Sequence, residues 1–421
     1  MKSSQYSGFY KLGVEERQKE VAEFCHLTPD DLALLNTDSS LSLDVADHMV
    51  ENVIGTFSLP MGVALNFVVN GKDYVIPMVL EEPSVVAAAS NMAGLVRKTG
   101  GFLCSNTGSL MRAQIQAVGV ADPHQARQRI LRHKDELIER ANGLDPMLVS
   151  VGGGVKDIEV HIVSSIAGIM VVTHLIVDTK DAMGANAVNT MAEGLAARIG
   201  ELAGGRVFLR ILSNLADKRL ARATCRVRAE DIGGPDVVDG ILLAYAFAEA
   251  DPYRAVTHNK GIMNGISPVV VATGNDWRAI ESGAHAYAAR SGRYTSLTTW
   301  EKDANGDLVG TIELPMAVGL VGGATKVHPV ARLAVRMLGV QSANELAEII
   351  AAVGLSQNLG AIRALATDGI QKGHMSLHAR TLAATAGARP DLIDRVAAQL
   401  VKEKNIRLER AQEIIKELEG K

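Results

Sequence analysis

A lysine, Lys260, and an aspartate, Asp276, stand sixteen residues apart in THNKGIMNG and ATGNDWRA, two stretches rich in glycine and asparagine. Gly, Asn and Asp favour turns and special backbone angles over regular helix or strand. The surrounding runs, such as IMNGISPVVVA, are apolar. The expectation is therefore a lysine carried into a largely buried setting, where a carboxylate is its natural partner. Taken alone, such a pair is either a structural ion pair or a charged couple that works on a substrate.

The elements that must position these groups follow from periodicity. Val14 to Leu35 is expected to be helical, and NFVVNGKDYVIPMVL (Asn66 to Leu80) alternates as a hairpin turning at Asn70-Gly71. Its second arm delivers Glu81-Glu82-Pro83-Ser84 onto an alanine-rich helix, with Pro83 expected in the first turn. After Ser109 the pattern changes. RAQIQAVGV alternates as a strand, ADPHQARQRILRHKDELIERAN is an amphipathic helix, and VKDIEVHIVSS and IMVVTHLIVD form an antiparallel pair. A helix from about Asn186 then leads into strand RVFLRIL. This β-α-β-β-α-β order predicts a ferredoxin-like unit. The fold expected is α+β: a large, mainly helical domain (1–107 and 216–370), a small inserted domain (108–215) and a C-terminal helical flap (371–421). Residues 216–370 are expected to hold helices and glycine-rich loops. In the tail, Ile393, Val396, Ala397, Leu400 and Val401 share one helix face, and Leu408, Ala411, Ile414, Ile415 and Leu418 another. Two helices so short are expected to need the rest of the chain as a docking surface.

Composition narrows the class. A hydrophobic content of 47% with 21% charged residues is that of an ordinary globular chain. A net charge of −4 argues against nucleic acid or an anionic membrane as the main partner. Three scattered cysteines without a CxxC or Cys/His cluster predict neither a disulfide framework nor a metal site. The N-terminus lacks the apolar core of a signal peptide. The run from Ile166 to Val177, broken by His174, is short of the ~20 residues a membrane span needs. A soluble, cytoplasmic protein is expected.

Nucleotide motifs are mostly missing. No GxGxxG follows a strand, and neither VSVGGGVKD nor GLVGGATK fits a phosphate-binding GxxxxGK[ST] loop. DAMGANAVN is the better candidate, because Met183, Gly184 and Asn186 stand at the start of a helix whose amides could take a pyrophosphate. A turn with a helix cap would look the same.

These words, taken together, resemble 3-hydroxy-3-methylglutaryl-CoA (HMG-CoA) reductases of the soluble bacterial, class II type. THNKGIMNG and GNDWRA carry the resemblance, as do ENVIGTFSLPMGVALNF, EEPSVVAAAS, DAMGANAVNTMAE, ILSNLAD, LVGGATKVHP and QNLGAIRALATDGIQKGHMSLHAR. They span nearly the whole chain in the family's order. The resemblance implies an oxidoreductase that interconverts (R)-mevalonate plus coenzyme A with HMG-CoA. Two hydrides pass at one carbon, with NAD rather than NADP as the expected cofactor.

It also implies roles. Lys260 would face the oxyanion that hydride addition creates, Glu82 would supply protons, and Asp276 would hold Lys260. The lysine favours Glu82 as carboxylate, whereas burial favours the acid a proton donor must be. His374 in GHM would protonate the departing thiolate, with His378 one turn on, as the flap closes and excludes water. Arg254 in DPYR would grip the substrate's free carboxylate, and Ser84 and Asn358 would hold the acyl group. Met183, Gly184, Asn186 and Asn214 would bind the cofactor. Asp145 in GLDPML would face its 2′-hydroxyl and repel a 2′-phosphate. A homodimer with interfacial active sites is implied, ENVIG being a candidate interface segment. Two rivals stay open at this point: an acyl-CoA or aldehyde oxidoreductase of similar fold with another substrate, and a catalytically silent binding scaffold.

Overall fold

Asn70 and Gly71, both at positive φ, close the hairpin of β1 (Met61–Val69) and β2 (Lys72–Val79). The computed structural model describes residues 3–36, 41–367, 379–403 and 405–419. Ahead of the hairpin lie α1 (Val14–Cys25), α2 (Pro29–Leu35) and α3 (Leu43–Met49). The continuous helix expected over Val14 to Leu35 is broken where His26 turns left-handed. Thr28 then restarts it: its Oγ1 accepts from the Asp31 amide while Asp31 accepts from the Thr28 amide. Helix α4 (Val85–Arg97) follows the hairpin, and β3 (Leu103–Asn106) follows α4. Pro83 lies just outside α4, because Ser84 adopts φ 77° and the helix begins only at Val85.

The next stretch folds as β4 (Leu110–Val118), α5 (Pro123–Arg132), α6 (Lys134–Asn142), α7 (Pro146–Ser150), β5 (Gly154–Ser165), β6 (Gly168–Asp178), α8 (Ala185–Ala203) and β7 (Arg206–Ser213). The strands pair antiparallel in the order β5-β6-β4-β7, which is the ferredoxin-like arrangement. Alternation on β4 buries Met111, Ala113, Ile115 and Ala117 on the face that packs against α8. The single helix expected after Asp122 breaks at His133, whose ring bonds the Arg129 carbonyl.

Beyond it the chain continues through β8 (Leu220–Val227), α9 (Ala229–Ile232), α10 (Pro235–Ala250), α11 (Pro252–Ala272), α12 (Trp277–Ala288), β9 (Thr298–Lys302), β10 (Leu308–Pro315), α13 (Gly323–Val327), α14 (Pro329–Leu338) and α15 (Ala343–Ala366). Residues 216–370 therefore contain three strands that were not expected. With β3 they form a sheet in the order β3-β8-β10-β9. The turn at Asn305-Gly306 between β9 and β10 was a legible hairpin signal. Helix α15 is long and apolar enough to cross a membrane by composition, yet it runs through the core against α4, α10, α11 and β8.

The tail helices α16 (Ile393–Lys402) and α17 (Leu408–Glu419) join helical residues 379–385. Ala379, Ala383, Leu392, Val396, Leu400, Ala411, Ile414 and Ile415 bury one another in a cluster made of tail residues alone. The expectation that the tail must borrow a core is thus corrected: a third helical segment supplies the missing surface.

Candidate active site

Helix α11 is where THNKGIMNG lies, so the segment expected to favour turns is a helix of 21 residues. Asp251 starts it by accepting from the Arg254 amide at 2.8 Å, and Pro252 takes the first position. Its glycines serve packing. A Cβ on Gly265 would meet Gln357 Cβ at 2.7 Å and the Val353 carbonyl at 2.9 Å, and a Cβ on Gly354 would meet Ile266 at 2.8 Å. Small residues on both helices let α11 and α15 approach closely, at the cost of weaker helix propensity.

That contact decides where Lys260 points. With the opposite face of α11 against α15, the Lys260 side chain faces outward and is 61% exposed, not buried as expected. Its Nζ donates to Glu82 Oε2 at 3.0 Å, and Asn264, one turn on, reaches both Glu82 oxygens at 3.3 and 3.4 Å. An exposed ion pair contributes only about 0–1 kcal/mol to stability, so this group is poorly explained as a structural fastener. Ser84 beside it holds a left-handed backbone that a serine adopts only against strain, on the order of 1–3 kcal/mol.

A second polar chain, missed in the sequence, begins two turns further along α11. Ser267 Oγ donates to Glu281 Oε1 at 2.6 Å, Glu281 Oε2 bonds His285 at 3.0 Å, and His285 bonds the Tyr294 hydroxyl at 2.7 Å. Burial works to raise the Glu281 carboxyl. Hydrogen bonds from His285 and Ser267, and the charges of His285 and Lys260, outweigh it and hold the group below the usual carboxylate range.

The other expected substrate residues separate. Arg254 lies six residues before Lys260, roughly 9 Å along the helix. Its half-buried guanidinium has no ion-pair partner among the described residues, and burial lowers its pKa. Asn358 is fully buried in the middle of α15, neither lining the site nor capping a helix. Its Oδ1 accepts from Trp300 Nε1 at 2.8 Å and Thr298 Oγ1 at 3.0 Å, and its Nδ2 meets His258 Nε2 at 3.1 Å. Burial, with the nearby Arg254 charge, pushes His258 down to about 3, so it stays neutral inside this network. Asn358 therefore shapes the floor beneath α11 in this structure.

Most of the residues expected to bind the cofactor line a single cleft of about 1660 Å³: Asp145, Met183, Gly184 and Asn186, and Asp276 lines it as well. Gly184 has φ 97°, and a Cβ there would stand 2.3 Å from Thr179. Being glycine, it also leaves the N-terminus of α8 without a side-chain cap, which suits an anion. Asp145 caps α7 through the Leu148 amide at 2.9 Å. Asn214 is not among the lining residues; its carbonyl packs against Gly283, where a Cβ would come within 2.6 Å. Asp276 caps α12 by accepting from the Arg278 and Ala279 amides at 3.0 and 3.2 Å, and it pairs with Arg278 at 3.1 Å. It does not hold Lys260 within this chain. The twelve residue steps along α11 from Lys260 to Ala272 alone span roughly 18 Å. His374 and His378 lie outside the described residues.

A family model described as hydroxymethylglutaryl-coenzyme A reductase matches residues 13–379. The 3-hydroxy-3-methylglutaryl-coenzyme A reductase of Archaeoglobus fulgidus is 59% identical over 416 residues, covering 99% of this chain and 95% of its own. A probable enzyme of the same name from Borreliella burgdorferi is 35% identical, over 88% of this chain and 84% of its own. Among solved structures, the reductase from Streptococcus pneumoniae superposes with a TM-score of 0.85 at 42% identity, covering 98% of this chain and all of that one. A class II structure from the same organism, bound to NADPH in open conformations, superposes at 0.83 and 42% identity, over 97% of this chain and all of that one.

Proposed function

The chain belongs to the hydroxymethylglutaryl-coenzyme A reductase family, and from that premise we propose that it interconverts (R)-mevalonate, coenzyme A and two NAD+ with HMG-CoA, two NADH and two protons. The observation that carries this reading is the outward-facing Lys260–Glu82–Asn264 group on α11. The cleft at the N-terminus of α8 fits a dinucleotide: uncapped amides at Gly184 and Ala185, a glycine where a Cβ cannot go, and room for a large ligand. When bound there, the nicotinamide supplies or takes up hydride.

The chain's own residues answer the remaining demands. Hydride addition to the thioester leaves a negative oxygen, which the Lys260 ammonium stabilises. Collapse of that adduct expels coenzyme A as thiolate, and His374 protonates the sulfur. The resulting aldehyde takes a second hydride, with Lys260 again at the oxygen and Glu82 donating the proton. Asn264 holds the Glu82 carboxyl so that its proton meets that oxygen. Arg254, which has no carboxylate partner among the described residues, receives the substrate's own carboxylate.

Asp276 enters from a second copy of the chain. Lys260 stands exposed, Asp276 lies beyond the far end of α11 on the cofactor cleft, and Ile54 and Phe57 of the ENVIG segment project into solvent, as do Leu243 and Tyr253. A symmetric dimer over these faces would bury the apolar groups and bring the cofactor cleft of one protomer to the Lys260 of the other. The primary test is absorbance at 340 nm with mevalonate, coenzyme A and NAD+ or NADP+. No coenzyme A-dependent change with either cofactor would sink the proposal.

Two variants probe its parts. Asp145 lines the cleft with one oxygen committed to α7; the other favours a free 2′-hydroxyl and repels a 2′-phosphate. The pneumococcal class II structure is bound to NADPH, so both cofactors belong in the comparison. Asp145→Asn keeps the cap while removing the charge, and should relax discrimination against NADP by roughly 1–3 kcal/mol. Relative kcat/KM values for the two cofactors measure this, and an unchanged ratio would reject the assignment. His374→Gln should cripple HMG-CoA reduction while largely sparing free mevaldehyde, which carries no coenzyme A. A thiolate with solution pKa near ~8.5 accepts a proton downhill from imidazolium near ~6.5. Equal loss on both substrates would place His374 at the carbonyl or in closing the tail.

A further inference from the structure

Arg219 lies in the connection from β7 to β8 and is 2% exposed. Its Nη1 donates to Thr179 Oγ1 at 3.0 Å and to the carbonyls of Ala182 and Met183 at 3.0 and 3.4 Å, and its Nη2 donates to the Val318 carbonyl at 2.5 Å. One side chain thus joins the DAMG turn before α8 to the strand-end segment after β10. The two segments also touch directly: a Cβ on Gly319 would lie 2.5 Å from the Met183 amide nitrogen, and Leu320 donates to the Asp181 carbonyl at 2.8 Å.

No carboxylate lies within ion-pair distance of Arg219 among the described residues. Asp178 is committed to Lys180 at 2.9 Å and Ser109 at 2.7 Å, and Asp181 to the Ala343 amide at 2.8 Å. Burying a charge without an ion partner is unfavourable, and the Arg219 Nε has no hydrogen-bond partner among the described residues. A neutral side chain could staple two loops at less cost, so the charge itself requires an explanation.

Its placement supplies one. A trans peptide sets each carbonyl and the following N–H in opposite directions. With the Met183 carbonyl drawn to Arg219, the Gly184 amide is turned away from the guanidinium, at the point where Met183, Gly184, Ala185 and Asn186 line the cleft. The buried cation stands behind the N-terminus of the 19-residue α8, where its field adds to that of the helix. Little solvent intervenes to screen it.

We propose that Arg219 is a positioning residue for the cofactor's pyrophosphate: without touching it, the buried guanidinium orients the DAMGAN loop and supplies fixed positive charge behind it. This rests on the reading that the cleft at α8 takes the nicotinamide dinucleotide. Burial lowers the guanidinium to about 10, still protonated at neutral pH.

Binding of NADH and NADPH to the full-length protein, followed by cofactor fluorescence with ADP-ribose and adenosine as competitors, tests it. Arg219→Met should weaken both cofactors and ADP-ribose about tenfold or more, a charge-dependent loss, while adenosine, which has no phosphate, competes as before. The KM for HMG-CoA and kcat at saturating cofactor should change little. Arg219→Lys keeps the charge but not the fork, and should retain ADP-ribose affinity within about threefold even if its melting temperature falls. Should Arg219→Met fail to fold, the lysine variant decides: ADP-ribose binding kept supports the proposal, and loss shared with adenosine overturns it. Wild-type affinities in Arg219→Met, or equal weakening of adenosine and ADP-ribose, would also overturn it. Failure of the unaltered protein to bind either cofactor is a different result, one that removes the cofactor reading itself.

Discussion

Lys260→Ala should lose HMG-CoA reduction and mevaldehyde reduction together, each by on the order of 10²-fold or more, because both create a negative oxygen that the proposed mechanism sets against this ammonium. The same variant should melt close to the unaltered protein. The Lys260 side chain is mostly exposed and its ion pair with Glu82 is open to solvent, so its removal costs about 1 kcal/mol at most. That combination, large in rate and small in stability, separates a working lysine from a structural one. Steady-state rates on both substrates and a thermal scan suffice. A folded Lys260→Ala protein that still reduced either substrate at near-normal rate would return the pair to a fastening role.

Much of this arrangement was legible in the chain, and the failures have physical causes. The β1–β2 hairpin followed from alternation and Asn70-Gly71, and the ferredoxin-like order followed from strands that bury one face, such as β4. Local rules failed where tertiary contact overrides them. THNKGIMNG has the composition of a turn, yet folds as helix because Gly265 and Gly354 allow α11 and α15 to meet at backbone distance. That contact then turns Lys260 outward, the reverse of what its apolar neighbours in sequence suggested. The buried network around Asn358 was illegible for a related reason. Its amide is consumed by Trp300, Thr298 and His258, partners 58 to 100 residues away in sequence. Arg219 carried no local signal at all, since its acceptors are backbone carbonyls and a threonine brought in from two distant segments. The strands β8 and β10 alternate well enough to have been found, and the Asn305-Gly306 turn should have prompted the search.

Mixing two inactive variants should restore activity. Within one chain Lys260 and Asp276 are separated by roughly 18 Å of helix or more, and Asp276 caps α12 on the cleft beside α8 while Lys260 faces solvent beside Glu82. If the two act on one substrate, they come from different protomers. Lys260→Ala dimers then have Asp276 at every site but no lysine, and Asp276→Ala dimers the converse. A hybrid has one site with both defects and one with neither. Random assortment makes half the dimers hybrids with one of their two sites intact, so co-expression should recover about a quarter of full activity from two parents that each have almost none. If Lys260 and Asp276 served the same site from one chain, every site in every dimer would carry one defect and nothing would be regained. The measurement is HMG-CoA reduction by the co-expressed mixture and then by protein purified through two different tags, which isolates the hybrids and should raise the recovered activity to about half. Hybrids confirmed by native mass spectrometry yet as inactive as their parents would rule out the shared site. They would also remove the explanation offered here for why Lys260, Ile54 and Phe57 stand exposed in the single chain.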